Sequence, residues 1–449
     1  MIFKVNVALF FWAVFLVFSP TFSISQTIQS PRIIPVKDLN NILLTFGSCS
    51  SMFLDDPNDV FDRITETDSD VFVWLGDVTY IDFSKTGPEL KFPGEEEARQ
   101  KFIETKEDPK YKKLRESTPV IGVWDDHDYG VNNAGKDFPY KEIAQQLWLD
   151  FIDEPKDSLR RQREGIYESY YLGGVDKVKI ILLDVRYFKD EPYFLSFGAQ
   201  DLLGEEQWEW LENELKENQA EYVVIGSGTQ IIPDDRVFPE KWFDQSKERL
   251  ISLIRKYKTS GVILLTGDVH YAEIMKFPCK ERVGFELYEL TSSGMTHHLS
   301  THVPYVSEVI SELYPSTYNT IEDKYFERNF GTVKFHFGEK KNVELGISNY
   351  YGIPILKKIV DYADLVYNEG IINDEASCII DTPNYMRFTS HYLKALLQGK
   401  KFVYLATFAC IFAITFVIVL IRICIIVGIA LYKKLGNRQT MLVNKTKQE

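Results

Sequence analysis

Three observations predict a layered α/β fold. Seven short runs rich in β-branched and aromatic residues recur between residues 41 and 290, helical periodicity fills the segments between them, and a polar or acidic cluster directly follows six of the runs. The runs are Asn41–Phe46, Val71–Leu75, Val120–Trp124, Val178–Leu183, Tyr222–Ile225, Val262–Leu265 and Leu287–Leu290. Continuous apolar runs of this length suit strands covered on both faces, as in parallel sheets. Between them, Trp208, Leu211 and Leu215 share one face of Glu205–Asn218, and Leu250, Ile251 and Ile254 share one face of Lys247–Tyr257, which is the spacing of helices packed on a sheet. Residues 351–400 lack this rhythm and read as a helical, membrane-proximal extension.

The two ends read differently from the middle. Residues 1–25 have one basic residue, Lys4, then an apolar run from Val5 to Phe18 closed by Ser19-Pro20, the pattern of a secretory signal peptide. Phe402–Ile421 is apolar throughout, is interrupted by Arg422 and resumes to Tyr432. A core helix is rarely apolar on every side for so long, so residues 402–432 are expected to cross a membrane. Lys433, Lys434, Arg438, Lys445 and Lys447 follow the span, against Lys400 and Lys401 before it, which places the tail 433–449 in the cytosol. The expected protein is therefore single-pass and type I, integral to a membrane, with its large domain outside the cell or in the secretory or endomembrane lumen.

Of the 449 residues, 45% are hydrophobic and 26% charged, a globular balance that excludes disorder. The formal net charge is −14; the ends carry +1 and +7, leaving −22 on the stretch between them. So acidic a surface repels nucleic-acid backbones, and nucleic-acid binding is set aside. Five cysteines are too few and too scattered for a disulfide framework, and whether Cys279 pairs with Cys378 is left open.

The clusters behind the strands are Gly47-Ser48-Cys49, Gly76-Asp77, Asp125-Asp126-His127-Asp128, Asp184-Val185-Arg186, Gly226-Ser227-Gly228 and Gly267-Asp268-Val269-His270. Ligand sites of α/β sheets form beyond the carboxyl ends of strands, so such clusters converge. Pooled, they offer Asp77, Asp125, Asp126 and Asp268, two imidazoles, the Cys49 thiol and the Arg186 guanidinium. Carboxylates sharing one site need cations between them. A hard cation suits the carboxylates, whereas thiolate and imidazole suit a transition metal. Two metals beside an arginine form an apparatus for hydrolysing phosphate esters. His297, His298 and His302 follow none of these clusters and read as structural.

Phe46-Gly-Ser-Cys49, Gly76-Asp-Val-Thr-Tyr80, Trp124-Asp-Asp-His-Asp-Tyr-Gly130, Leu203-Gly-Glu-Glu-Gln-Trp208 and Thr266-Gly-Asp-Val-His270 occur in this order. Together with Leu183-Asp-Val-Arg-Tyr187, Glu289-Leu-Thr-Ser-Ser-Gly294 and Asn329-Phe-Gly331, the set resembles the alkaline phosphatase D (PhoD-like) branch of the metallophosphatases, over about residues 41–350. The resemblance implies a sandwich of two β-sheets flanked by helices, in a domain taken here as residues 26–350. It also implies metal ligands at Cys49, Asp77, Tyr80, Asp126, Asp268 and His270, with Asp77 bridging two ions, Fe3+ and Ca2+. His127 falls where the family has the acid that assists the leaving group, and Asn132 where it often has a polar substrate contact. Val78-Thr79 and Asp128 depart from the family's commonest residues without removing a ligand.

The expected function is that of a membrane-anchored phosphoesterase, of alkaline phosphatase or phosphodiesterase type. It would attack phosphate esters with a metal-bridging hydroxide while Arg186 steadies the phosphate and His127 assists departure. The substrate would be a small phosphate ester or a phospholipid; the sequence names no protein partner. The alternative is a catalytically silent ectodomain that binds a partner or a phosphorylated ligand, but every expected position carries a chemically competent residue.

Overall fold

The computed structural model describes residues 30–51, 59–84, 87–88, 91–191, 200–233, 241–298, 324–374, 376, 407–423 and 425. One sheet has seven strands: β1 (Ile33–Ile34), β7 (Glu168–Leu172), β8 (Val178–Leu183), β9 (Tyr222–Ser227), β10 (Val262–Thr266), β11 (Ala272–Lys276) and β12 (Tyr288–Ser292), in the order β1-β7-β8-β9-β10-β12-β11. The other has six: β2 (Asn41–Gly47), β3 (Val71–Leu75), β6 (Val120–Val123), β13 (Asn329–His336), β14 (Asn342–Asn349) and β15 (Pro354–Asp361), in the order β15-β14-β13-β2-β3-β6. A small hairpin joins β4 (Phe83–Ser84) to β5 (Gly87–Pro88).

Strands β2, β3 and β6 are parallel, as are β8, β9, β10 and β12. Alternation along the second group sorts side chains to two cores, because successive residues of a strand point to opposite faces. Ile180, Leu182, Tyr222, Val224, Ile263 and Leu265 enter a core shared with Ile42, Leu44 and Phe46 of the other sheet. Ile181, Leu183, Val223, Ile225, Val262 and Leu264 turn the other way, toward Trp208, Leu211, Leu250 and Ile254. Each such Leu or Ile contributes roughly 1.5–3 kcal/mol on full burial.

Helices α1 (Asp59–Glu66), α2 (Glu95–Lys106), α3 (Pro109–Ser117), α4 (Asp126–Tyr129) and α5 (Lys141–Phe151) accompany the six-stranded sheet, and Trp74 of β3 donates its indole N–H to the Tyr111 hydroxyl of α3 at 2.9 Å. Helices α6 (Gly204–Lys216) and α7 (Asp244–Lys256) cover the outer face of the seven-stranded sheet. Both bury the residues their periodicity selected.

The helical expectation for residues 351–400 needs correction in its described part; residues 375 and 377–400 lie outside the described residues. Pro354–Asp361 is an edge strand paired antiparallel with β14. Its inward Leu356 and Val360 are masked in sequence by exposed Ile355 and Ile359 on the opposite face and by Lys357-Lys358 between them. The sequence reading also passed over β7, β11, β13 and β14, antiparallel strands in which polar residues break up the apolar run. The proposed signal peptide, residues 1–25, lies outside the described residues. Of the expected span, residues 407–423 and 425 are described and helical, and among the described residues no helix is long and apolar enough to cross a membrane. Cys279 is disulfide-bonded; Cys378 lies outside the described residues.

Candidate functional site

Turns at the carboxyl ends of β2, β3, β6, β8 and β10 meet at one edge of the two sheets. Backbone bonds lock them together: Cys49 N–H donates to the Gly76 carbonyl (3.4 Å), Ser50 N–H to that of Asp77 (2.7 Å), and Gly267 N–H to that of Gly228 (3.0 Å). Asp128 ties the turn after β6 to the one after β3 by accepting from Val78 N–H (2.8 Å) and Thr79 N–H (3.2 Å). The approach is close enough to demand glycine. A Cβ at Gly76, where φ is +90°, would lie 2.3 Å from Asp125 Cβ, and one at Gly267 would lie 2.5 Å from Ser48 Oγ.

Five of the six residues expected to ligate metal hold left-handed backbone: Cys49 (φ +58°), Asp77 (+55°), Tyr80 (+46°), Asp268 (+77°) and His270 (+61°). Each such residue costs roughly 1–2 kcal/mol when it is not glycine. Strain of this kind persists where the surroundings enforce it, and it gathers at functional sites.

The side chains form two groups that share one member. Cys49, Asp77 and His270 offer ligand atoms within 4.8 Å of one another, and so do Asp77, Asp125, Asp126 and Asp268. Tyr80 joins the first group, with its hydroxyl 3.3 Å from both Asp77 Oδ2 and His270 Nε2. Cys49 Sγ lies 3.5 Å from Asp77 Oδ2. Asp77 thus stands between a set of sulfur, phenol and imidazole donors and a set of carboxylates. The first set suits a transition metal and the second a hard cation such as calcium.

Electrostatics give the same account. Burial, and then the neighbouring Asp126 and Asp125, push the Asp77 carboxyl well above its ordinary range, against the pull of His127. Burial and Asp77 push up the Cys49 thiol. Like charges so enclosed cannot all ionise without cations between them. Asp125 Oδ2 is buried with no hydrogen-bond partner among the described residues, an acceptor that a cation would satisfy. Asp126, despite its burial, is held down at about 2 by Arg186 and His127.

His127 sits on the rim of this cluster. It lies within ligand reach of Asp77 and Asp126, but its Nδ1 is bonded to Asp82 Oδ1 at 2.8 Å. Its ring stacks on Tyr80 (4.4 Å between centroids) and meets the edge of Phe83 (5.3 Å). Burial opposes its charge, yet Asp126, Asp77 and Asp82 together raise its pKa to about 10.

Two expected residues sit differently from the rest. The guanidinium of Arg186, 1% exposed, is engaged by carboxylates: Nε bonds Asp125 Oδ1, and Nη2 lies 3.6 Å from Asp126 Oδ2 and 3.9 Å from Asp268 Oδ2. The Asn132 side chain is exposed, and the residue reaches the site through its backbone N–H, 3.1 Å from Asp82 Oδ2. Its neighbour Asn133, at φ +61°, gives its N–H to Asp126 Oδ2 at 2.6 Å.

Asp82 and Ser293 are not among the site residues expected from the sequence, and His297, which reads there as structural, lies beside the cluster. Asp82 was visible as a second acid two residues beyond Tyr80. Ser293 Oγ lies 3.0 Å from Cys49 Sγ and accepts His270 N–H at 2.7 Å. The ring of His297 lies 4.3 Å from that of His270 and 4.8 Å from that of Tyr80. Both Ser293 and His297 belong to Ser293-Gly294-Met295-Thr296-His297, which follows β12 as the other clusters follow their strands.

Comparison with known proteins matches this arrangement to one family. A solved structure of PhoD superposes with a TM-score of 0.55 at 16% identity, covering 81% of this chain and 79% of that one, which shows a common fold. Alkaline phosphatase D of Bacillus subtilis (strain 168) is 25% identical over 203 residues, covering 38% of this chain and 34% of the relative's length. The model of the PhoD-like phosphatases matches residues 44–343, from within β2 to the start of β14. The chain belongs to the PhoD-like phosphatase family.

Proposed function

We propose that this protein is a metal-dependent phosphoesterase held at a membrane. The position of Asp77 carries the reading: one buried carboxylate, in strained backbone, lies within ligand spacing of both donor groups. Iron held by Cys49, Tyr80 and His270, and calcium held by Asp126 and Asp268, with Asp77 between them, would polarise the ester and lower the pKa of water. Arg186, beside Asp125, Asp126 and Asp268, would steady the phosphate oxygens, and Asn132, exposed at the edge of the site, would meet the substrate there. His127 gives a proton from Nε2 to the departing oxygen, while Asp82 fixes the ring through Nδ1.

Membrane attachment belongs to the same proposal. It rests on the apolar run from Phe402, the basic residues after Tyr432 and the signal-like residues 1–25. In sealed vesicles, external protease is expected to trim residues 433–449 and spare the large domain; digestion of that domain would reverse the orientation. The activity is tested by elemental analysis of the purified protein together with hydrolysis of one phosphomonoester and one phosphodiester. Bound iron and calcium with turnover of either ester is expected. Full turnover after the metals have been stripped would refute the reading.

A further inference from the structure

Arg186 divides its guanidinium among three carboxylates, so a second cation beside it would add to its hold on a phosphate. Lys189 lies three residues further along the same turn, its N–H donating to the Arg186 carbonyl at 3.2 Å. Its side chain is enclosed, 4% exposed, and its Nζ donates to the Asn133 carbonyl at 3.3 Å. That bond is longer than the usual range for N–H···O and engages one of the three ammonium protons. The Asn133 N–H is the donor that holds Asp126, so the backbone of a single residue separates the ammonium from a carboxylate of the cluster. The placement is braced from the other side. Lys136 N–H donates to the Lys189 carbonyl at 2.9 Å, and a Cβ on Gly135 would come within 2.5 Å of that oxygen.

Burying an ammonium is costly unless it is paired with an anion. Among the described residues Lys189 has no carboxylate within ion-pairing distance, whereas Arg186 has three. Among the described residues the Asn133 carbonyl is the one hydrogen-bond acceptor of this ammonium, so two of its protons are left for an anion.

We infer that Lys189 is a substrate-binding residue whose ammonium takes the phosphate oxygens of the ester. The inference rests on the phosphoesterase reading and extends it to substrate class. A point charge beside the phosphate favours the more highly charged ester, so Lys189 selects phosphomonoester dianions over phosphodiester monoanions.

The test uses the purified full chain with its metals, as wild type, Lys189→Gln and Lys189→Arg. Gln keeps a donor for the Asn133 carbonyl but removes the charge; Arg keeps the charge. Each protein is assayed on a nitrophenyl phosphomonoester and a nitrophenyl phosphodiester, with inorganic phosphate as competitor. In Lys189→Gln, monoester KM is expected to rise and phosphate binding to weaken by about 10- to 100-fold, the usual worth of a hydrogen bond to a charged group. Diester KM should move much less, with kcat and metal content near wild type, and Lys189→Arg should stay within a few-fold of wild type. Wild-type KM and phosphate affinity in Lys189→Gln would show a strut for the Asn133 turn and overturn the inference. Equal losses on both esters, or loss of metal, would overturn it too. If wild type hydrolyses neither ester, the phosphoesterase reading fails, and calorimetry with inorganic phosphate on the three proteins still decides whether Lys189 binds the anion.

Discussion

Replacing Asp82 by Asn separates His127, the proposed acid, from the carboxylate that holds its ring. Both side chains are buried, and the Nδ1–Oδ1 distance is 2.8 Å. The second oxygen of Asp82 accepts Asn132 N–H at 3.1 Å. An asparagine oxygen can accept from one of these donors while its amide confronts the other, so one bond is lost. A hydrogen bond to a charged group is worth about 1.5–3 kcal/mol, so kcat on an alkyl phosphate ester should fall roughly 10- to 100-fold. A nitrophenyl ester, whose leaving group needs less protonation, should lose less. The pH profile should move as well. Asp82 helps to raise the His127 pKa to about 10, so without it the imidazolium loses its proton at lower pH. Because an acid must be protonated to act, the alkaline limb of kcat should shift toward neutral. Steady-state kinetics on both esters from neutral to alkaline pH, with metal analysis of the same samples, make the check. Unchanged kcat and an unshifted limb at full metal content would refute the orienting role, and loss of metal would make Asp82 part of the ligand set.

Cys49→Ser should lose iron while largely keeping calcium, Asp77→Asn should lose both metals and all activity, and His127→Ala should keep both while slowing by roughly 10²–10⁴-fold; elemental analysis beside kcat reads all three. Gly76→Ala places a methyl group 2.3 Å from Asp125 Cβ at φ +90°, and overpacking plus left-handed strain should destabilise the fold by about 2–4 kcal/mol, read from denaturant unfolding. Glu289, buried, accepts from Ile232 N–H (2.6 Å) and the Thr266 hydroxyl (2.8 Å), and burial pushes its pKa from 4.5 to about 7. The folded state therefore holds a proton that the unfolded chain has released, so this group's contribution is full below about pH 4.5 and lost as pH rises to about 7, roughly 3 kcal/mol in all. Glu289→Gln should flatten that slope in unfolding curves taken across the range.

What could be read from the sequence divides along physical lines. Strands buried on both faces announce themselves as apolar runs, which is why β3 and β8 were placed to the residue. β13 was not, because its outward Thr332, Lys334 and His336 interrupt the run, and its pairing with β2 is a long-range fact. At the site, residues directly behind parallel strands were legible: Cys49, Asp77, Asp126, Asp268 and His270 come together as expected. The nearness of His297 to His270 was not, because it depends on the fold carrying the chain after β12 back to Cys49, whose carbonyl accepts His297 N–H at 3.0 Å. The setting of Arg186 was equally out of reach, since a sequence shows a guanidinium but not the three carboxylates that surround it.

The proposed ligands do not all belong to one sheet. Cys49, Asp77, Tyr80 and Asp126 follow strands of the six-stranded sheet, whereas Asp268 and His270 follow β10 of the seven-stranded one. Ions held by both would act as a clasp across the mouth of the sandwich. Loading and folding then become a single equilibrium, because whatever binds the native state alone adds to its stability in proportion to the logarithm of its concentration. A chain without its metals would keep crowded acids at that edge. The metal supply of the compartment would then govern how long each molecule lasts as well as how fast it works.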